Sequence, residues 1–163
     1  MRHSILIVFS LLVLSATGQA QEAQPPRGRG YVFFAPGTVS NRSERATTLH
    51  IGGGYERLVY KGLGVGSEIG IQKEGGDTYA LFSANGSYHF TNLAPNRKIV
   101  PFLTAGYSGA FNGEGGENWF NFGGGLDYWL RPTKALRLEV RDHVDPQHER
   151  AVHYLEYRIG LVW

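Results

Sequence analysis

The residues best suited to chemistry cluster near the C-terminal end. Arg141-Asp142-His143-Val144-Asp145-Pro146-Gln147-His148-Glu149-Arg150 places two imidazoles and three carboxylates within ten residues. Those donors suit a divalent cation, and the flanking arginines suit phosphate. The spacing fixes no coordination geometry and Pro146 marks a turn, so a solvated loop over 144–150 is the better reading and no metal ligand is assigned. Nucleophilic catalysis would need a serine beside His143 and a carboxylate to orient the ring. Ser87 and Ser108 have the right type, but they fall in segments that a simple meander does not place next to that of His143. No catalytic residue is expected. The runs Gly52-Gly53-Gly54 and Gly123-Gly124-Gly125 have no helix pattern after them, so they are not a dinucleotide fingerprint, and no cofactor is expected.

A second set of charges is spaced differently. Glu56, Glu68, Asp127, Arg137, Glu139, Arg141, Glu156 and Arg158 each stand inside a run in which polar and apolar residues alternate. Leu136, Leu138 and Val140 alternate with Arg137, Glu139 and Arg141. Leu155, Tyr157, Ile159, Leu161 and Trp163 alternate with Tyr154, Glu156, Arg158 and Gly160. Period two puts residues i and i+2 on one face of a strand, so carboxylates and guanidiniums share a face and can pair across it. Ion pairing within a closed structure is the chemistry this arrangement offers.

The elements that position these charges are strands. Period two recurs over 31–35, 47–59, 63–72, 78–90, 99–110, 119–130, 135–143 and 151–163, with Pro36-Gly37 closing the first. Glycine is too dense for long helices, and most of these segments have the roughly ten residues with which a tilted strand crosses a bilayer. The connections 37–46, 73–77, 111–118 and 144–150 are polar. Those at 60–62 and 131–134 are tight turns, with a longer one at 91–98. An even strand count returns both termini to one side.

The chain has 163 residues, 42% hydrophobic and 18% charged, with 23 glycines, no cysteine and a net charge of +2. One domain is expected, and disulfide scaffolds, thiol chemistry and a charge-driven nucleic-acid binder are excluded. A mean hydropathy of −0.25 suggests a soluble protein. A membrane barrel gives the same average, because lipid-facing residues alternate with polar ones. Residues 1–20 carry a basic start, the apolar run 5–14 and small residues at Gly18 and Ala20, the pattern of a cleavable signal peptide. Residues 21–30 (QEAQPPRGRG) read as a flexible lead-in, and 31–163 as the barrel.

Alternation alone also fits a secreted soluble β-barrel or sandwich that binds a small ligand, and that alternative stands beside the first. Mixed charges on the would-be inner face favour a membrane barrel, since a ligand-binding lumen is apolar. Aromatics fall into two groups that suit the two membrane interfaces. Tyr31, Tyr60, Tyr88, Phe90, Phe102, Tyr128, Trp129 and Trp163 lie near one set of strand ends. Phe33, Phe34, Tyr79, Tyr107, Phe111, Trp119, Phe120 and Tyr154 lie near the other. The chain ends on Trp163, with Leu161, Ile159, Tyr157 and Leu155 at every second position before it. That ending resembles the C-terminal signal of outer-membrane proteins, and with the leader and eight alternating segments the chain resembles the small OmpA/OmpX-like outer-membrane β-barrels. The resemblance implies an all-β, eight-stranded, antiparallel up-and-down transmembrane barrel in the outer membrane of a Gram-negative cell. It implies a monomer among outer-membrane lipids and lipopolysaccharide, built by the barrel-assembly machinery, with a structural or surface-interaction role. Some barrels of this size modify lipid A, which is the enzymatic alternative.

Overall fold

A computed structural model describes residues 28–41, 44–91, 98–113, 115–146 and 151–163; the expected signal peptide, and the lead-in up to residue 27, lie outside these. The strands are β1 Gly28–Asn41, β2 Glu44–Tyr60, β3 Leu63–Glu74, β4 Asp77–His89, β5 Ile99–Asn112, β6 Gly115–Arg131, β7 Lys134–Asp145 and β8 Val152–Val162. Each pairs antiparallel with its neighbour in chain order, and β1 closes on β8. At the closing seam Gly30 and Trp163 exchange both backbone hydrogen bonds at 2.9 Å. A closed sheet has no unpaired edge, which is what backbone in a bilayer requires. The eight-stranded up-and-down barrel expected from the alternation is the observed fold.

Burial follows the pleat. Ile69 is 68% exposed while its neighbour Glu68 is 3% exposed. Ile51, Val65, Phe82, Leu103, Phe122 and Ile159 likewise face outward while polar residues between them are buried. Apolar outside and charged inside inverts the arrangement of a water-soluble domain, and the wall is suited to lipid.

Several boundaries differ from the alternation. β1 begins at Gly28, inside the expected lead-in, and runs through Pro36-Gly37 to Asn41. Pro36 is tolerated because of where its missing donor falls. Hydrogen-bonded pairs alternate along the seam from Gly30–Trp163, so the Pro36 nitrogen faces β8, and Ala35 and Pro36 have no partners in that ladder although both pair with β2. β2 and β6 extend to 17 residues each, beyond their hydrophobic stretches. Pairing continues there because ladder bonds do not depend on side-chain polarity. The turn between β2 and β3 is tight, with Lys61 at φ +36° and Gly62 at φ +89°. Glycine is needed at the second position, because a Cβ there would strike the His89 carbonyl.

The aromatics expected in two girdles divide between the outer face and the lumen. Tyr60, Tyr88, Tyr128 and Trp163 are exposed at the end that holds the termini, and Tyr107, Phe111 and Phe120 are exposed toward the other. Tyr31, Phe33, Phe102, Trp119 and Tyr154 point inward and are buried. With β1 longer than expected, Phe33 and Phe34 lie opposite Gly160 and Ile159 of β8, nearer the terminal end than the far one.

Candidate functional site

The lumen is the site. All eight charged residues expected on the inner face are there and buried. They separate into two clusters, and the separation follows the register. In the cluster nearer the termini, Arg137 donates from Nε to Asp127 Oδ1 at 2.8 Å and from Nη2 to Asp127 Oδ2 at 3.0 Å. Its Nη2 also lies 3.3 Å from Glu56 Oε2. Arg29 adds a bond from Nη2 to Glu56 Oε2 at 2.9 Å, Ser87 donates to Glu56 Oε1 at 2.5 Å, and His89 Nε2 stands 3.0 Å from the same oxygen. Two guanidiniums balance two carboxylates.

The second cluster lies farther up the barrel. Arg158 donates from Nη1 to Glu68 Oε1 at 2.8 Å and from Nε to Glu156 Oε2 at 2.7 Å. Arg141 donates from Nε to Glu139 Oε1 at 2.6 Å and from Nη1 to Glu68 Oε2 at 3.2 Å. The Tyr31 hydroxyl donates to Glu68 Oε2 at 3.0 Å. Here three carboxylates face two guanidiniums. The cations are also stacked on rings, Arg158 at 4.2 Å from the Phe33 centroid and Arg137 at 4.5 Å from that of Phe102, which compensates part of their lost hydration.

Glycines make room for these rings. A Cβ on Gly52 would approach within 2.7 Å of the Phe33 ring, and one on Gly54 within 2.5 Å of the Tyr31 hydroxyl. Between the clusters a void of about 10 Å³ lined by Tyr31, Glu56, Ser87, Thr104, Arg137 and Arg141 has room for roughly one water molecule. Above them an apolar cap of Val39, Leu81, Ala110, Trp119, Val152 and Tyr154 closes the section, with the Trp119 and Tyr154 rings stacked at 4.5 Å.

Sequence reasoning missed three parts of this site. Arg29 was assigned to the lead-in, although it shares period two with Tyr31 and Phe33. His50 and His143 carry the same inward parity as the charges on their strands, and His89 that of Ser83 and Ser87 on β4, the signal by which they are legible. The third concerns His143 and serine. Strand adjacency is the wrong test inside a narrow barrel, because residues meet across the lumen: Ser108 of β5 lies with Oγ 3.3 Å from His143 Nδ1 of β7. The pair is buried, away from lipid and water, under the Trp119 cap.

The cluster Arg141 to Arg150 is likewise not one exposed loop. β7 continues to Asp145, turning Arg141, His143 and Asp145 inward, and residues 147–150 lie outside the described ones.

No family model matches this chain, and no curated protein does. Solved structures do match. Neisserial surface protein A aligns with a TM-score of 0.65 at 15% identity, over 85% of this chain and 98% of its own. The N-terminal β-barrel domain of Pseudomonas aeruginosa OprF gives 0.56 at 15% identity, over 84% and 100%. The outer membrane enzyme PagL gives 0.57 at 14% identity, over 80% and 97%.

The fold is that of the small outer-membrane β-barrels.

On the outer face of this barrel, Tyr157, Ile159, Leu161 and Trp163 are exposed and Leu155 is half-buried, forming one outward stripe along β8. At the upper end of that stripe His153 Nδ1 lies 2.7 Å from Asp142 Oδ2 of β7. Ser40 of β1 stands directly across from His153 in the seam register, exposed on the same face. Serine, imidazole and carboxylate thus occupy three adjacent strands.

Proposed function

We propose that this protein is a monomeric outer-membrane barrel that strengthens the envelope or presents a surface, rather than a diffusion pore. A single observation carries this: both ionic clusters and the Trp119–Tyr154 cap fill the lumen of a barrel whose wall is apolar. Eight strands leave an interior about the width of its own side chains, and here those side chains are charged and paired. A soluble ligand-binding barrel would keep that space apolar. The leader over 1–20 would direct export, the β8 stripe from Leu155 to Trp163 would serve the barrel-assembly machinery, and the outward wall would contact lipid and lipopolysaccharide.

Membrane fractionation combined with gel mobility before and after boiling tests the proposal. Recovery with the outer membrane, migration that changes on boiling, and no sustained conductance in planar bilayers are expected. A soluble, detergent-free monomer overturns it, and so does a steady open channel.

A second reading has its own observation, the outward Asp142–His153 pair with Ser40 in register. His153 Nδ1 held by a carboxylate leaves Nε2 to take a proton from a serine hydroxyl, the arrangement of an ester hydrolase acting on a lipid beside the wall. Expression in a Gram-negative host should then lower the mass of an outer-leaflet lipid by one acyl chain, and Ser40→Ala should restore it. An unchanged lipid mass with correct insertion discards this reading.

A further inference from the structure

We propose that His50, His143 and Glu156 form a binding site for a divalent transition-metal ion, with zinc as the representative, inside the upper lumen. The three residues come from β2, β7 and β8, so they converge only once the barrel has closed. Each offers one ligand atom, and those atoms lie within 4.8 Å of one another. His50 Nδ1 is 2.9 Å from Glu156 Oε1, and His143 Nε2 is 3.7 Å from Glu156 Oε2. All three side chains are buried.

Three further features make this more than a cluster of suitable residue types. First, the second imidazole is oriented. Ser108 Oγ lies 3.3 Å from His143 Nδ1, so that ring nitrogen has a hydroxyl partner and Nε2 is the one that faces Glu156. A ligand histidine held through its other nitrogen is the usual outer-shell support of a metal site. Second, the surrounding cluster is short of positive charge. Glu68, Glu139 and Glu156 face Arg141 and Arg158, three carboxylates against two guanidiniums. The lower cluster shows no such deficit.

Third, a cationic group already probes the position. Arg158 Nη2 lies 3.4 Å from His50 Nδ1 and 3.2 Å from His143 Nε2. The guanidinium is anchored by Nη1 at Glu68, 2.8 Å away, and by Nε at Glu156, 2.7 Å away, so an ion bound here displaces Nη2 through a shift of the whole planar group.

The donor set selects the ion. Two imidazole nitrogens and one carboxylate suit zinc and its first-row neighbours, whereas calcium and magnesium require mainly oxygen ligands in larger number. The ion would join β2 to the β7–β8 pair across the lumen and bind only the closed barrel.

The test uses the full chain expressed in zinc-supplemented cells, purified folded in detergent, desalted and assayed by elemental analysis. About one zinc per folded barrel is expected, together with a cobalt-loaded form that absorbs in the visible range. A His50→Gln/His143→Gln double variant that still shifts on boiling should hold less than a tenth of that zinc. Ser108→Ala should bind roughly 10- to 100-fold more weakly through loss of ligand orientation. Wild-type barrels with no more zinc than the double variant overturn the proposal. Zinc kept by the double variant but lost in His153→Gln also overturns it, since the ion would then sit on the outer face. Should the double variant not fold, Ser108→Ala decides: unchanged zinc affinity rejects the site.

Discussion

Arg137 of β7 and Asp127 of β6 stand directly opposite each other and are joined by two hydrogen bonds, Nε to Oδ1 at 2.8 Å and Nη2 to Oδ2 at 3.0 Å. This bidentate pair is buried, and its second guanidinium nitrogen also reaches Glu56 of β2, 3.3 Å away. A cross-strand pair therefore also links opposite walls of the barrel.

Replacing Arg137 by Leu should be strongly destabilising. Asp127 would keep only the longer contacts to Arg29 Nη1 at 3.4 Å and His89 Nδ1 at 3.7 Å, and a buried carboxylate without its main partner costs about 3–5 kcal/mol. Urea unfolding of detergent-folded barrels measures the loss. The double variant Arg137→Leu/Asp127→Asn should lose distinctly less than the sum of the two single changes, because the charge is removed along with its partner. Additive losses would mean the pair is not coupled.

Gly54→Leu should overpack the lumen. The new Cβ would lie 2.5 Å from the Ser67 carbonyl oxygen of β3 and 2.5 Å from the Tyr31 hydroxyl, and the side chain would enter the space of the Tyr31 ring. A penalty of about 1–3 kcal/mol is expected from forced rearrangement. Moving Tyr31 also disturbs its bond to Glu68. Tyr31→Ala in the same chain should relieve the clash and recover part of the loss, as read by the midpoint of thermal unfolding. No recovery would show that Gly54 is required by the strand and not by the ring.

Much of this fold is legible in the sequence because period two is a local property. Leu136 to Arg141 and Leu155 to Trp163 declare which face each residue takes, and a closed barrel leaves only two faces to choose from. Strand ends are less legible: near Asn41 and Glu44 the chain is polar on both faces, yet backbone pairing persists there. Aromatic roles are ambiguous for a related reason, since Trp119 and Tyr154 have the composition of an interfacial girdle but the parity of the lumen, and parity places both inside. The partners within the lumen are not legible. Arg158 meets Glu68 and Arg141 meets the same carboxylate from a different strand, and such meetings depend on stagger around the barrel, which alternation along one strand does not encode.

Removing Trp163 should separate assembly from stability. The residue is 55% exposed on the outer face, so deletion removes little packing from the folded barrel. Its backbone exchanges two hydrogen bonds with Gly30 at one end of the seam, where fraying is least costly. The barrel refolded in detergent should therefore unfold within a few degrees of the full chain. In cells, the amount reaching the outer membrane should fall several-fold if the Leu155–Trp163 stripe is what the assembly machinery reads. Trp163→Phe keeps a terminal aromatic and should restore insertion. Normal insertion of the deleted form would show that the stripe is only lipid-facing wall. A large loss of thermal stability would show instead that the Gly30–Trp163 pair holds the barrel shut.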